Sequence, residues 1–448
     1  MPPPDAAGTV TSARLGPFWF APGWTRGNAS TVWLASLFTI GLAAFMSFLQ
    51  PYLLNEVLHI PVAEQGRLTG NLGVLQELIV IALAGVAGAW SDRVGRRRVF
   101  CLGFVIMAAG LAIYPFATGL LQLVLFRIVF AFGVALAPLM LSACVVDAIQ
   151  ERSRGKWIGS NNLLQGLGVV AMSVGLAKLP QAFVAGGIDT VSAGRYAFLI
   201  AASIALAAAA IMFIGLPRTT TRSSTTVDAG LWGSVLDAAR LGRANPRLAL
   251  AYGAAFIGRG DFVIIGAFFS LWVTQAGIAA GMSPATSLAR GGMLFGILQL
   301  AAMGWAFFMG LIADRVDRVT GLGIALVLAA TGYALLGQVA DPFSPGFIPV
   351  AVLVGMGEVS VIVASGALLG HEAPLTGRGP VIGLYNAVGG VGILFATLAG
   401  GYVFDHLGPT LPFTMMALLN ALLLGAALLV RRNGARPYRQ RPDPERQA

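Results

Sequence analysis

The chain has 448 residues, of which 57% are hydrophobic and only 11% charged, against roughly 25% charged in ordinary soluble domains. That leaves too little polar surface to cover a water-soluble globule, so lipid is the expected solvent. The formal net charge of +10 sits in short loops between apolar runs, so it reports membrane topology and points to no nucleic-acid partner.

Residues 1–30 are rich in Pro, Gly and Ala and read as a cytoplasmic tail. The first apolar run, 31–53, is too long for a signal-peptide core and has no small-residue cleavage site, so a retained helix is expected. Stretches of about 20 apolar residues, the length that crosses a ~30 Å hydrocarbon core, then recur. Six lie near 31–53, 68–91, 99–118, 121–145, 157–178 and 195–216, and six more near 248–273, 290–312, 319–339, 346–369, 381–403 and 411–430. The expected fold is an all-α membrane protein of twelve transmembrane helices in two pseudo-symmetric six-helix bundles, 31–216 and 248–430. The bundles are joined by a polar linker, 217–247, in which Trp232, Val235, Leu236 and Ala239 share one face of a short interfacial helix, and a basic tail covers 431–448. Most of the 29 Lys and Arg fall in loops on one side, which the positive-inside rule makes cytoplasmic, with both termini there.

In chain order, the second span carries Glu77 on one stripe with Gly73 and Gly70. The loop after it reads Gly88-Ala-Trp-Ser-Asp92-Arg93-Val-Gly95-Arg96-Arg97. Cys101 and Cys144 lie inside apolar runs and indicate packing rather than a disulfide framework. The fourth span places Arg127 ahead of Gly133. The seventh contains Gly258-Arg259-Gly260-Asp261, a candidate for a locally unwound helix. The loop after the eighth reads Gly310-Leu-Ile-Ala-Asp314-Arg315-Val-Asp317-Arg318, and the tenth span holds Glu358. The two loops are related by an offset of 222 residues, which also superposes Gly70 on Gly292, Gly110 on Gly332 and Glu77 on Gln299. Further along, an offset of 224 puts Gly133 on Gly357 and Asn162 on Asn386. Internal duplication is the simplest account.

The Gly88–Arg97 loop resembles the G-x-L-A-D-R-x-G-R-K motif of the major facilitator superfamily, and the resemblance covers essentially the whole chain. Gly310, Asp314, Arg315 and Arg318 stand where that family has a weaker second copy, with Asp317 replacing the turn glycine. Arg127 with Gly133 resembles the fourth-helix R-x-x-x-G-x-G element, although Ala131 replaces its first glycine, and the fifth span lacks the G-P-x-x-G-G stretch of drug/proton antiporters. The resemblance implies a secondary transporter working by alternating access, with Gly88, Asp92, Arg93, Gly95, Arg96 and Arg97 as a cytoplasmic gate. It also implies a cavity lined by the first, fourth, seventh and tenth helices, near which Arg127, Arg259, Asp261 and Glu358 fall.

Five ionisable residues lie deep within spans: Glu77, Arg127, Arg259, Asp261 and Glu358. Each costs roughly 2.5–3.5 kcal/mol at a helix centre, so they are expected to face inward and to be paired or functional. Arg259 and Asp261, about 200° apart on a helix, need separate partners. Similar depths suggest Arg259 with Glu358 and Arg127 with Glu77. One acid is then left over, Asp261 or Glu77, as a candidate proton carrier. No phosphate-binding loop is present and His59, His371 and His406 form no ligand cluster, so neither ATP hydrolysis, a metal nor a cofactor is expected. The substrate class is open between an organic anion, favoured by the two arginines, and a lipophilic cation exported by proton antiport. A sensor or assembly factor that no longer transports is a third reading. The expected partners are a small-molecule substrate, protons and the lipid of the cell membrane, with the chain as a monomer.

Overall fold

The computed structural model describes residues 14–218, 231–374 and 378–433, with side chains in the middle segment from Leu236 onward. Among the described residues, twelve helices are long and apolar enough to span a membrane. In the first half they are α1 (Arg26–Glu56), α2 (Val62–Val94), α3 (Arg96–Phe116), α4 (Leu120–Asp147), α5 (Glu151–Ala185) and α6 (Thr190–Gly215). In the second they are α7 (Pro246–Ala279), α8 (Pro284–Arg315), α9 (Arg318–Leu336), α10 (Phe347–Glu372), α11 (Arg378–His406) and α12 (Leu411–Arg432). Each coincides with one apolar run of the sequence. The end of the bundle bearing the two loop motifs is called the motif end below, and the other the far end.

The duplication is visible in packing. Gly110 of α3 lies against the backbone of Phe130 in α4, and Gly133 of α4 against the backbone of Met107 in α3. In the second half Gly332 of α9 meets Val354 of α10, and Gly357 of α10 meets Ala329 of α9. These are the same contacts shifted by the repeat. With no hydrophobic effect between helices in lipid, close backbone approach at small residues does the work.

Two segments differ from expectation. Residues 14–24 are not a plain tail: β1 (Arg14–Leu15) and β2 (Phe18–Trp19) form an antiparallel hairpin, closed by Gly16 at φ 54° and Pro17. The hairpin docks on the α4–α5 connection. The Ala21 amide donates to the Ala148 carbonyl at 3.0 Å, and the rings of Phe18 and Phe20 pack on Trp157. In the seventh span, the helix runs unbroken from Pro246 to Ile264 through Gly258 and Gly260, so the expected unwinding is absent. Those glycines serve packing instead, Gly258 against Val361 and Gly260 against Met416 and Ala396. The irregularity comes one turn later, as a π-helical turn at Ile265–Phe269. The linker contains a helix, Leu231–Ala244, with Leu236 exposed and Ala238 buried. The side chains of Trp232 and Val235 lie outside the described residues.

The two halves touch at the far end and stand apart at the motif end. At the far end, both oxygens of Asp405 in α11 accept from the Gly66 and Arg67 amides at the start of α2, at 2.8 and 2.6 Å. Ser270 of α7 donates to the Phe48 carbonyl of α1 at 2.6 Å, and Gly292 of α8 abuts Ser173 of α5. At the motif end of the same four seam helices, a methyl group on Gly88 (α2), Gly159 (α5), Gly310 (α8) or Gly383 (α11) would meet nothing within 4 Å. Among the described residues, the seam is therefore open toward the motif end.

Candidate transport site

Glu77 stands where α2 and α11 begin to part. One turn toward the far end, Gly73 packs on Thr397. At Glu77 itself, Gly390 of α11 is the neighbour, 3.7 Å from Oε1 to a Cβ built there, and beyond it the helices diverge. Arg259 reaches the same place from α7. Its chain lies along Gly389, and its Nη2 donates to Asn386 Oδ1 at 3.1 Å. The two side chains are close enough to interact electrostatically without an ion-pair contact. An acid from the first half and a guanidinium from the second thus meet at the floor of the opening.

The expected pairs, Arg259 with Glu358 and Arg127 with Glu77, do not form. Depth was matched, but rotation about the helix axis decides which side chains meet. Arg127 is 3% exposed and turned into the first half, where Nη1 donates to Gln50 Oε1 at 3.3 Å and the guanidinium lies 6.0 and 5.7 Å from the ring centroids of Tyr114 and Phe130. Gln50 is itself held by Thr69 and Tyr114.

Asp261, on the opposite side of α7 from Arg259, is fully buried inside the second half. Asn420 Nδ2 of α12 donates to both of its carboxylate oxygens at 3.1 Å, and the Tyr333 hydroxyl donates to its backbone carbonyl at 3.0 Å. Glu358 of α10, 4% exposed, is within electrostatic reach, and its Oε2 has no hydrogen-bond partner. Among the described residues, no cation forms an ion pair with either acid. Two buried carboxylates without a counter-ion form a site that must be neutralised to be stable. Among the described residues, no three His, Cys, Asp or Glu side chains converge as a metal site.

The loop motifs form separate clusters at the motif end. Gly95 takes φ 103°, which lets α3 start directly after α2. Arg96 pairs with Asp147 at the end of α4 and more distantly with Asp92, at 3.9 Å. Asp92 therefore binds within its own half rather than reaching the opposing one, because the halves are apart here. Arg97 lies over the Phe213 ring at 4.3 Å, and Arg93 is exposed. In the second copy Arg318 pairs with Asp314 at 3.1 Å, and Arg315 is exposed. Asp317, in place of the turn glycine, has φ −55° and accepts from the Val319 and Thr320 amides at the start of α9. It also accepts from Arg247 at 2.7 Å, and Arg247 reaches the buried Glu372 at 2.7 Å as well. Burial alone would push the Asp317 carboxyl up, but Arg247 and the two amides outweigh it and hold it below the usual carboxylate range.

The sequence profile of the Major Facilitator Superfamily matches residues 31–337 and 261–448. The chain belongs to the major facilitator superfamily. Its fold is that of this superfamily's membrane transporters. The magnetosome protein MamZ of Magnetospirillum gryphiswaldense is 28% identical over 405 residues, 87% of this chain and 60% of that protein, so the chain spans less than two thirds of its length. MamH of Paramagnetospirillum magneticum is 26% identical, with 91% of this chain and 93% of that one covered. The class D tetracycline resistance protein of Salmonella ordonez is 25% identical over 88% of this chain and 94% of its own length. Among solved structures, a variant of the nucleoside transporter NupG superposes with a TM-score of 0.72 at 12% identity, covering 90% and 99% of the two chains, a likeness of fold.

Asn386, Asn420, Tyr333 and Gln50 were not singled out from sequence. Asn386 carried a signal, its repeat partner Asn162, and Asn420 is the one amide in the twelfth span, Leu411–Arg432.

Proposed function

We propose that this superfamily member carries a small organic anion across the membrane by alternating access, coupled to protons, with the motif end facing the cytoplasm. The observation that carries the reading is Arg259, a guanidinium at the floor of the opening held by a neutral amide, Asn386, and not by an acid in contact. Such a group is a ready partner for a carboxylate or phosphate. Coupling is assigned to Asp261 with Glu358, a buried acid pair one helix face away from Arg259, so that proton occupancy on one side of α7 can bias the position of Arg259 on the other. The predominance of Lys and Arg in loops at the motif end supports the orientation.

The experiment is uptake into proteoliposomes of a panel of organic anions chosen by thermal-shift screening. Stabilisation by anions that disappears in Arg259→Gln supports the reading; stabilisation by lipophilic cations alone overturns it. The second reading, export of a cationic or lipophilic compound, draws support from Glu77 at the same floor and from the tetracycline resistance relative. It is distinguished by loss of cation stabilisation in Glu77→Gln. The relatives named as magnetosome proteins bear on location, and fluorescence microscopy of a tagged chain separates the cell membrane from an internal compartment.

A further inference from the structure

On the outer flank of the second half, away from the seam, α9 and α12 leave a groove of about 290 Å³ at the motif end. Its walls are apolar, with Val327 and Leu428 about half exposed, and its depth comes from Gly323, where an added methyl group would find only Leu424, at 3.9 Å. The mouth holds Thr320 and Arg431. Arg431 sits in the last turn of α12, where an apolar span of this length ends, and among the described residues no acid or acceptor pairs with it. Among the described residues, no acid lines the groove.

We propose that this groove binds an anionic phospholipid, with one acyl chain along Gly323 and its phosphate at Arg431. Arg431 and Leu424 are about 10 Å apart along the helix, so a chain anchored at the guanidinium runs past Gly323 into the hydrocarbon region. An apolar cleft ending in a cation that is unpaired among the described residues is complementary to a lipid of net negative charge, and a basic pocket between helices is how such head groups are recognised. Neither substrate nor coupling residues take part, so the site stands independently of the transport reading.

The test is native mass spectrometry of the delipidated full chain with a phosphatidylglycerol, a phosphatidylcholine and sn-glycerol 3-phosphate. Phosphatidylglycerol adducts are expected to exceed phosphatidylcholine adducts about fivefold, the effect of one arginine near the membrane surface. Arg431→Gln should abolish that preference, Gly323→Leu should reduce both lipids by filling the cleft, and Arg98→Gln, at the motif end of the other half, should change neither. An undiminished preference in Arg431→Gln overturns the proposal. So does binding of glycerol 3-phosphate with the same Arg431 dependence, which would make the site one for a soluble phosphate.

Discussion

Glu77 of α2 and Arg259 of α7 lie against adjacent residues of α11, Gly390 and Gly389, so opposite charges from the two halves face the same stretch of that helix without forming an ion pair. An anion arriving from the motif end competes with Glu77 for the guanidinium. Arg259→Gln is expected to weaken binding of a stabilising anion at least tenfold, the low end of a charge-assisted hydrogen bond. Glu77→Gln should tighten it by removing the competitor. Titration calorimetry on both variants checks the two signs, and weaker binding in both refutes the competition.

The acid pair makes a separate prediction. Asp261→Asn should abolish accumulation driven by an imposed pH gradient while leaving gradient-independent exchange of the substrate. Tracer uptake in proteoliposomes with and without the gradient measures both. Accumulation intact in Asp261→Asn and in Glu358→Gln would remove the pair from coupling.

Asp317 predicts a pH-dependent stability difference. Its folded-state value lies below the ordinary carboxylate value, so its contribution is fully present above roughly pH 4 and fades as pH falls through the depressed value. Thermal melting of wild type and Asp317→Asn should differ at pH 5 to 7 and converge toward pH 3. The difference should be about 1 kcal/mol or less, because the Asp317 side chain is 45% exposed and screened by solvent. A constant offset across that range contradicts the assignment.

Closure at the far end depends on α2 and α11 meeting at Gly70 and Gly401. Gly70→Leu puts a branched side chain against the Thr397 carbonyl, so it should disfavour the state open at the motif end. Maleimide labelling of Ala84→Cys, exposed on the motif-end part of α2 and on the same face as Glu77, should slow several-fold in that background. Unchanged labelling would show that the seal tolerates the bulk.

The sequence made the spans legible because a bilayer imposes one length on every helix, and the repeat made the seam legible through glycines at matched positions. It did not show how each helix is turned. Arg259 and Glu358 have similar depth, yet one looks toward α11 and the other toward Asp261, and no periodicity in runs this apolar marks the difference. Helix ends were equally opaque. Glu372 and Asp405 look like ordinary loop-side acids until α10 brings the first to Arg247 and α11 brings the second to the amides of α2. The replacement of the turn glycine by Asp317 is visible in sequence, but not that its carboxylate caps α9 and links it to α7.

The docked hairpin sets an order on synthesis. Phe20 and Gln150, joined by a side-chain to backbone hydrogen bond, are 130 residues apart, with four spans made between them. At about 5–20 residues per second the ribosome needs roughly 6–26 seconds to supply the second partner. Throughout that time Trp33 of α1 is the partner at hand for Phe18, while Ile149 and Trp157, which receive Phe20, are still missing. Aromatic residues made before the first span are thus buried fully only after the fourth, which makes this stretch the natural place for a chaperone or the insertion machinery to hold the nascent chain.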